Sequence, residues 1–245
     1  MSAQDWRPTA SIEFLRARAQ CLARARSFLA ERKVLEVQVP SLQTGPNLDH
    51  GITPLRTQVL GKDAWLITSP EHFLKRFLCA GYGDCYSLAP VWRDGEVGCR
   101  HACEFWMLEW YRLGFSAQQL AREVVELCSQ VTGRDMPVIE YTWHQAFETA
   151  VGVPADHPAL PSHGMDCADW TRDQHIDALW STVVEATFKK DAYTIIHEWP
   201  AEAAAQARLF PDASGRLVAA RFEVYAGGLE LANGYHELSL SLIHI

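Results

Sequence analysis

The run from Glu104 to Tyr111, EFWMLEWY, constrains the fold of this chain more than any other segment. Read as a β-strand, its side chains alternate between two faces, so that Phe105, Glu109 and Tyr111 share one face. A carboxylate among aromatic side chains is unfavourable unless a cation meets it. Two interpretations follow: Glu109 pairs with a neighbouring arginine, or it binds the ammonium group of a substrate.

The composition limits the class of protein. The chain has 245 residues, 48% of them hydrophobic, and a net charge of -8. That length suits one large domain or two small ones, and the acidic balance disfavours non-specific binding to nucleic acid. Apolar runs are too short to span a membrane, and the N-terminus lacks the apolar core of a signal peptide. The seven cysteines are typical of reduced thiols, so we expect a soluble cytoplasmic protein.

Helices and mostly antiparallel strands are interspersed along the chain, which predicts an α+β fold. Residues 11–33 have the periodicity of an amphipathic helix, and residues 34–40 alternate as a strand. The segments CYSLAPVWR and EFWMLEWYR read as an antiparallel pair joined by a long loop. A capping box predicts the start of a further helix at Ser116.

The C-terminal run RFEVYAGGLELANGYHEL reads as a hairpin that turns at its Gly-Gly dipeptide. Such a turn places Tyr225 opposite Glu230 and Glu223 opposite Ala232. Glu223 and Glu230 are then diagonal neighbours on one face. Two carboxylates so placed repel each other unless a cation lies between them, and oxygen ligands suit Mg²⁺. The alternative is a solvated strand face with two unrelated glutamates.

Basic residues around the long loop are of the kind that binds phosphate. Arg93 ends the first strand of the antiparallel pair, and Arg100 lies in the loop after it. The chain contains neither G-x-x-x-x-G-K-[ST] nor G-x-G-x-x-G after a strand. The common nucleotide-binding folds are therefore disfavoured.

Four segments resemble, in the right order, the catalytic domain of class II aminoacyl-tRNA synthetases of the lysyl type. FLAERKVLEVQVPSL is similar to motif 1, TSPEHFLKRFL to the family segment T-S-P-E-x-x-x-K-R, and WRDGEVGCRHACEFWMLEWYR to motif 2. RFEVYAGGLELANGYHEL is similar to a further segment of the family. The ending -LEWYR resembles the stand-alone branch, the elongation factor P–(R)-β-lysine ligases. The resemblance implies one catalytic domain over residues 1–238, with residues 239–245 as a tail outside the family pattern.

The resemblance implies a role for each matched residue. Arg93 is expected to hold the α-phosphate of ATP and to act in catalysis. The other implied ATP-binding residues are Glu96, Arg100, His101 and Phe105. The implied substrate-binding residues are Glu71, Glu109, Tyr111, Asn233 and Glu237. The implied Mg²⁺ ligands are Glu223 and Glu230.

The chemistry implied is the activation of an amino acid. The carboxylate of (R)-β-lysine attacks the α-phosphorus of ATP, pyrophosphate leaves, and a lysine side chain of elongation factor P displaces AMP from the adenylate. Because an anticodon-binding domain is missing and the balance is acidic, we expect a protein acceptor and no tRNA. By analogy with motif 1 of this class, we expect a homodimer.

Two departures from the family pattern stand out. Ala102 and Cys103 replace the Asn and Pro that shape the motif 2 loop. After Leu238 the family continues into motif 3, whereas this chain reads SLSLIHI, so we expect an incomplete domain that is inactive as it stands. The alternatives are a paralogue that activates another amino acid and a non-catalytic binding paralogue.

Overall fold

A computed structural model of the chain describes residues 7–47, 51–95, 98 and 101–238. The chain divides into two compact units, Met1–Gly114 and Phe115–Ile245. Each unit combines helices with mainly antiparallel sheets, which confirms the predicted α+β class. Every helix found in the described residues is shorter or more polar than a membrane-spanning segment requires.

The first unit contains two α-helices and two three-stranded sheets. The helices are α1, Ile12–Glu31, and α2, Glu71–Cys79. The strands are β1, Leu35–Glu36, β2, Leu42–Gln43, β3, Arg56–Val59, β4, Lys62–Leu66, β5, Cys85–Trp92, and β6, Glu104–Tyr111. One sheet has the order β1-β5-β6 and the other the order β2-β4-β3. β5 and β6 pair antiparallel without a break in register, as predicted.

The second unit is built around a mixed sheet with the order β11-β10-β8-β7, to which β9 adds by pairing with β10. Its strands are β7, Val138–Thr142, β8, Tyr193–Pro200, β9, Leu209–Pro211, β10, Leu217–Ala226, and β11, Leu229–Tyr235. Its α-helices are α3, Ala117–Thr132, α4, Trp143–Val151, and α5, Arg172–Leu179. A π-helical turn, Trp180–Val184, and a 3₁₀ turn, Glu185–Thr187, continue α5.

Local signals set the bounds of the helices. The Ser116 hydroxyl accepts the N–H of Gln119 while the Gln119 side chain accepts the N–H of Ser116, so the predicted capping box is formed. α3 ends at Gly133, whose φ of 68° suits glycine because it has no Cβ. The helix predicted over residues 11–33 is α1, with ends shifted by one or two residues.

The strand predicted over residues 34–40 is shorter than expected. Only Leu35–Glu36 pairs with β5 as a strand. The N–H of Val37 still donates to the Tyr86 carbonyl at 2.8 Å, but the ladder ends there. Pro40 has no N–H to donate, so it cannot extend the ladder.

Stacked aromatic rings form the core of the second unit. Trp143 and Trp180 stack with ring centroids 5.2 Å apart and planes 8° apart. Trp199 from β8 and Tyr225 from β10 belong to the same buried cluster. Because such rings bury large areas and pack in defined geometries, they fix the position of β10. Glu223 lies two residues before Tyr225 and is fixed with it.

Candidate active site

One face of β6 carries the first group of predicted site residues. Glu109 lies opposite Ser87 on β5, and Tyr111 follows two residues later on the same face. Two hydroxyl groups donate to its carboxylate: Ser69 Oγ to Oε2 at 2.7 Å and Tyr111 OH to Oε1 at 3.1 Å. The predicted clustering of Glu109 with Tyr111 is confirmed.

The interpretation in which Glu109 pairs with an arginine receives no support from these contacts. Its observed hydrogen-bond donors are hydroxyls, which carry no charge. Arg112, which follows β6, instead forms a salt bridge with Asp84 at 2.9 Å. The hydrogen-bond donors described for Glu109 are therefore neutral.

Burial is the main reason why the pKa of Glu109 is raised to about 7, and the nearby carboxylate of Glu71 adds to the rise. The hydrogen bonds from Ser69 and Tyr111 and the charge of Lys75 oppose it. A cation that enters this pocket favours the ionised form of Glu109. An ammonium group both supplies that charge and donates hydrogen bonds.

Glu71 lies at the start of α2, beside the same group. Its N–H donates to Ser69 Oγ at 3.0 Å, and its carboxylate accepts a hydrogen bond from Lys75 Nζ at 2.6 Å. The side chains of Glu71 and Lys75 are only 16% and 14% exposed. Glu71, predicted to bind an amino group of the substrate, therefore already binds the ammonium of Lys75 in this structure.

Arg93 and Phe105 come together at the other end of the β5–β6 pair. Arg93 Cζ lies 5.3 Å from the centroid of the Phe105 ring, within the range of a cation–π contact. Its Nε donates to the Thr68 carbonyl at 3.3 Å. His101 is exposed at the end of the loop before β6. Two predicted ATP-binding residues, Glu96 and Arg100, lie outside the described residues.

The hairpin of β10 and β11 carries the second group. The Gly-Gly dipeptide forms the two-residue turn, with φ of 62° and 75° at Gly227 and Gly228, and Tyr225 lies opposite Glu230 as predicted. The predicted pairing of Glu223 with Ala232 is wrong. A β-bulge shifts the register between Val224 and Tyr225. As a result Val224 pairs with Ala232, and Glu223 pairs with Asn233.

The bulge decides which side chains share a face. An extra residue on β11 reverses the alternation, so Asn233 lies on the face that carries Glu223, and Ala232 lies on the opposite face. Glu230 remains on the face of Glu223, because it pairs with Tyr225 and Tyr225 follows Glu223 by two residues. The predicted diagonal arrangement of the two glutamates is confirmed.

Glu223 is buried and strongly held. Arg221 Nη2 donates to its Oε1 at 2.6 Å, and the Tyr225 hydroxyl donates to its Oε2. Burial, and then the charge of Glu230, raise the pKa of Glu223 to about 7, while Arg221 lowers it. A carboxylate whose ionised form is disfavoured by a neighbouring carboxylate suits a bound cation.

The donor set of this group fits a hydrated Mg²⁺. Glu223 and Glu230 offer carboxylate oxygens, which Mg²⁺ prefers, and Mg²⁺ bound by few carboxylates keeps several waters. Within the described residues no cluster of three or more histidine, cysteine, aspartate or glutamate side chains is suited to hold a metal. Two carboxylates leave the other coordination positions of Mg²⁺ to water and to further oxygen ligands.

Asn233 and Glu237 are placed at different points of the second unit. Arg221 Nε donates to Asn233 Oδ1 at 3.1 Å, so Asn233 belongs to the group around Glu223. Glu237 lies beyond the end of β11, where it forms an isolated bridge with Ala207. Neither the predicted substrate contact of Asn233 nor that of Glu237 is tested by these positions.

Sequence reasoning missed two residues that hold the predicted groups in place. The Ser69 hydroxyl accepts the N–H of Glu71 at the start of α2 and donates to Glu109. Arg221 binds both Glu223 and Asn233, and its guanidinium stacks over Trp199 at 4.4 Å. The spacing of Arg221 two residues before Glu223, on the same face of the strand, was a signal that could have identified it.

Comparison with known proteins shows the class of protein to which this chain is similar. A family model described as tRNA synthetases class II (D, K and N) matches residues 2–242. Curated relatives indicate one branch of this class. Elongation factor P–(R)-β-lysine ligases of Haemophilus ducreyi, Actinobacillus succinogenes and Vibrio vulnificus are each 38% identical to this chain; the alignments cover 96% of it and 75% or 76% of the relatives. The chain therefore belongs to the class II synthetase family and, within it, to the elongation factor P–(R)-β-lysine ligases.

Proposed function

We propose that this chain activates (R)-β-lysine with ATP and transfers it to a lysine side chain of elongation factor P. This proposal replaces the expectation of an inactive domain, which rested only on the sequence of the tail. The names of the relatives supply the two substrates, and the class II domain supplies the use of ATP. The observation that carries the proposal is the partly buried carboxylate of Glu109, which accepts hydrogen bonds from two neutral hydroxyls. That arrangement suits the ammonium group of a diamino acid.

The first half-reaction forms the adenylate. A carboxylate oxygen of (R)-β-lysine attacks the α-phosphorus of ATP, and the bond to the bridging oxygen of pyrophosphate breaks. Arg93 places a guanidinium beside Phe105, the ring proposed to stack on adenine, where the charge stabilises the negative α-phosphate in the transition state. Glu109 and Tyr111 orient the amino end of the substrate, so that the carboxylate is held for in-line attack.

Glu223 and Glu230 are the residues that would hold Mg²⁺. Mg²⁺ bound there would supply positive charge that neutralises phosphate groups. Arg221 and Tyr225 keep the carboxylate of Glu223 in one orientation. The roles of Glu96, Arg100, His101, Asn233 and Glu237 remain those that the family resemblance implies.

The second half-reaction transfers the acyl group. The neutral ε-amine of a lysine of elongation factor P attacks the acyl carbon of the adenylate, AMP leaves, and an amide bond forms. A base must take the proton that the amine loses, and the departing phosphate of AMP is itself able to accept it. No covalent intermediate with the enzyme is needed.

We also propose that the chain forms a homodimer in the cytoplasm. β1 is an edge strand of its sheet, and Leu35 on it is 51% exposed. α1 exposes further large apolar residues, with Ile12 53% and Phe14 61% exposed. Exposed apolar residues beside a sheet edge favour pairing with another chain. The cytoplasmic location follows from the proposed acceptor, a translation factor.

The experiment that tests the function is an acyl-transfer assay. The chain is incubated with elongation factor P, ATP, Mg²⁺ and each of a panel of lysine isomers, and intact elongation factor P is weighed by mass spectrometry. We expect one added lysyl group with (R)-β-lysine and little with α-lysine. Transfer of α-lysine to tRNA, with no change in elongation factor P, would reject the proposal in favour of a lysyl-tRNA synthetase-like enzyme.

A further inference from the structure

Two adjacent residues each support one of the proposed ligand-binding side chains of the first unit. The carbonyl of Thr68 accepts the Arg93 Nε–H at 3.3 Å, and the hydroxyl of Ser69 donates to Glu109 at 2.7 Å. Thr68 and Ser69 are joined by one peptide bond. A displacement of this segment therefore moves the contacts of Arg93 and of Glu109 together.

A chain of side-chain hydrogen bonds holds Thr68. Thr68 is fully buried, and its Oγ1 accepts a hydrogen bond from Asn47 Nδ2 at 2.8 Å. Asn47 Oδ1 in turn lies 2.9 Å from His72 Nε2. Because an amide oxygen only accepts, His72 Nε2 carries the proton in this bond.

Asn47 therefore joins three parts of the first unit. It lies in the connection between β2 and β3, it binds the segment before α2 through Thr68, and it binds the first turn of α2 through His72. It is only 9% exposed, which is unusual for a polar residue outside helices and strands. Removal of its amide takes this donor away from the Thr68 hydroxyl, which is buried away from water, and removes the acceptor of the exposed His72 ring.

We infer that Asn47 is a positioning residue, which acts through Thr68 to hold Arg93 and Glu109 in place at the same time. The hydrogen bonds that connect Asn47 to both side chains run through Thr68 and Ser69, which are joined by one peptide bond. This inference rests on the proposed function, because Arg93 and Glu109 are ligand-binding residues only within it. It predicts that ATP binding and amino-acid binding weaken together.

The test compares Asn47→Ala and Thr68→Val with wild type. Thr68→Val removes the hydroxyl with little change in shape, and Thr68→Ser restores it. Thr187→Val is the matched control, because Thr187 Oγ1 donates to the Val184 carbonyl at 2.7 Å in the second unit. The dissociation constants of ATP and of (R)-β-lysine are measured separately by calorimetry, and hydrogen exchange of the Arg93 Nε–H is measured by NMR.

We expect Asn47→Ala and Thr68→Val to weaken both ligands by about fivefold to tenfold, the effect of one hydrogen bond. Exchange of the Arg93 Nε–H should accelerate in the same two variants, while Thr68→Ser and Thr187→Val stay close to wild type. If Asn47→Ala does not fold, the inference is tested by Thr68→Val alone. That variant keeps the backbone carbonyl that binds Arg93.

A folded Thr68→Val variant with unchanged dissociation constants and unchanged Arg93 exchange overturns the inference. Equal weakening in Thr187→Val also overturns it, since the effect is then one of general stability. If the wild type binds neither ligand, the proposed function fails. In that case the exchange of the Arg93 Nε–H still decides whether Asn47 positions Arg93, because this measurement needs no ligand.

Discussion

Two glutamates, the partly buried Glu109 of the first unit and the buried Glu223 of the second, have the same raised pKa of about 7 but different surroundings. Glu109 accepts hydrogen bonds from the neutral hydroxyls of Ser69 and Tyr111. Glu223 accepts one hydrogen bond from a tyrosine and one from the guanidinium of Arg221, its own charged partner. Burial is the largest cause of the rise in both pKa values.

The two units differ in which glutamate forms the salt bridge with the neighbouring cation. In the first unit the cation Lys75 binds Glu71, and the hydrogen-bond donors described for Glu109 are neutral. In the second unit the cation Arg221 binds the buried glutamate itself, and the second carboxylate, Glu230, is exposed. A buried carboxylate with neutral donors suits a desolvated ammonium, whereas a buried and an exposed carboxylate together suit a hydrated metal ion.

The largest effect is expected from Glu109→Gln. The change keeps the shape but removes the charge that the substrate ammonium meets. Since a hydrogen bond to a charged group contributes about 1.5–3 kcal/mol, (R)-β-lysine should bind roughly 10- to 100-fold more weakly, with ATP binding unchanged. Calorimetric titration measures both. Glu104→Gln, at the exposed start of the same strand, is the control, and an equal loss of ATP affinity would contradict the assignment.

The second prediction concerns the bulged hairpin that holds Glu223. A Cβ at Gly234 would lie 2.5 Å from Cζ of the buried Phe222 ring, so Gly234→Ala should lower the free energy of unfolding by about 1–3 kcal/mol. Gly45→Ala is the control, because nothing lies within 4 Å of its added Cβ. Denaturant titration measures the difference. Equal stability of the two variants would show that the pairing of Gly234 with Phe222 is wrong.

The third prediction is a pH dependence specific to Glu109. Its pKa is raised from 4.5 to about 7 on folding, so the folded chain binds more protons within that window, and the contribution of Glu109 to stability falls as pH rises through it. Ammonium binding needs the ionised form. The affinity for (R)-β-lysine should therefore rise by up to about tenfold per pH unit as pH approaches 7 from below. In Glu109→Gln this dependence should disappear; its persistence would assign the titration to another group.

The smallest effect is expected from Glu230→Gln. Glu230 is exposed, so its attraction for a cation is screened by water. The concentration of Mg²⁺ that gives half-maximal activity should rise by about twofold to tenfold, with the affinity for (R)-β-lysine unchanged. Glu185→Gln, another carboxylate whose charge acts on Glu223, is the control. A weaker affinity for the amino acid, with unchanged Mg²⁺ dependence, would contradict the assignment of Glu230 to the metal ion.

The regular strands of the site could be predicted from sequence because their period is two. The alternation of EFWMLEWY placed Glu109 with Tyr111, and the structure has that strand without a break in register. The Gly-Gly turn fixed the pairing of Tyr225 with Glu230 in the same way. The alternation of a strand predicts which side chains share a face only where the register of the pairing is unbroken.

The parts that could not be predicted depend on irregular or tertiary geometry. The β-bulge that pairs Glu223 with Asn233 has no signature in the alternation of polar and apolar residues of β11. β1 ends at Glu36 although its partner β5 continues to Trp92, an end that the alternation over residues 34–40 does not mark. Asn47 and Thr68 are 21 residues apart, so their hydrogen bond is set by tertiary packing and not by local pattern.

The central claim is that this chain activates an amino acid whose ammonium group binds Glu109. The most direct test is pyrophosphate exchange into ATP, measured with the wild type and Glu109→Gln in the presence of (R)-β-lysine and Mg²⁺. We predict exchange that requires (R)-β-lysine and that is much weaker in the variant at the same amino-acid concentration. Exchange of equal rate in both proteins would contradict the role of Glu109, and no exchange in the wild type would contradict the proposed activity.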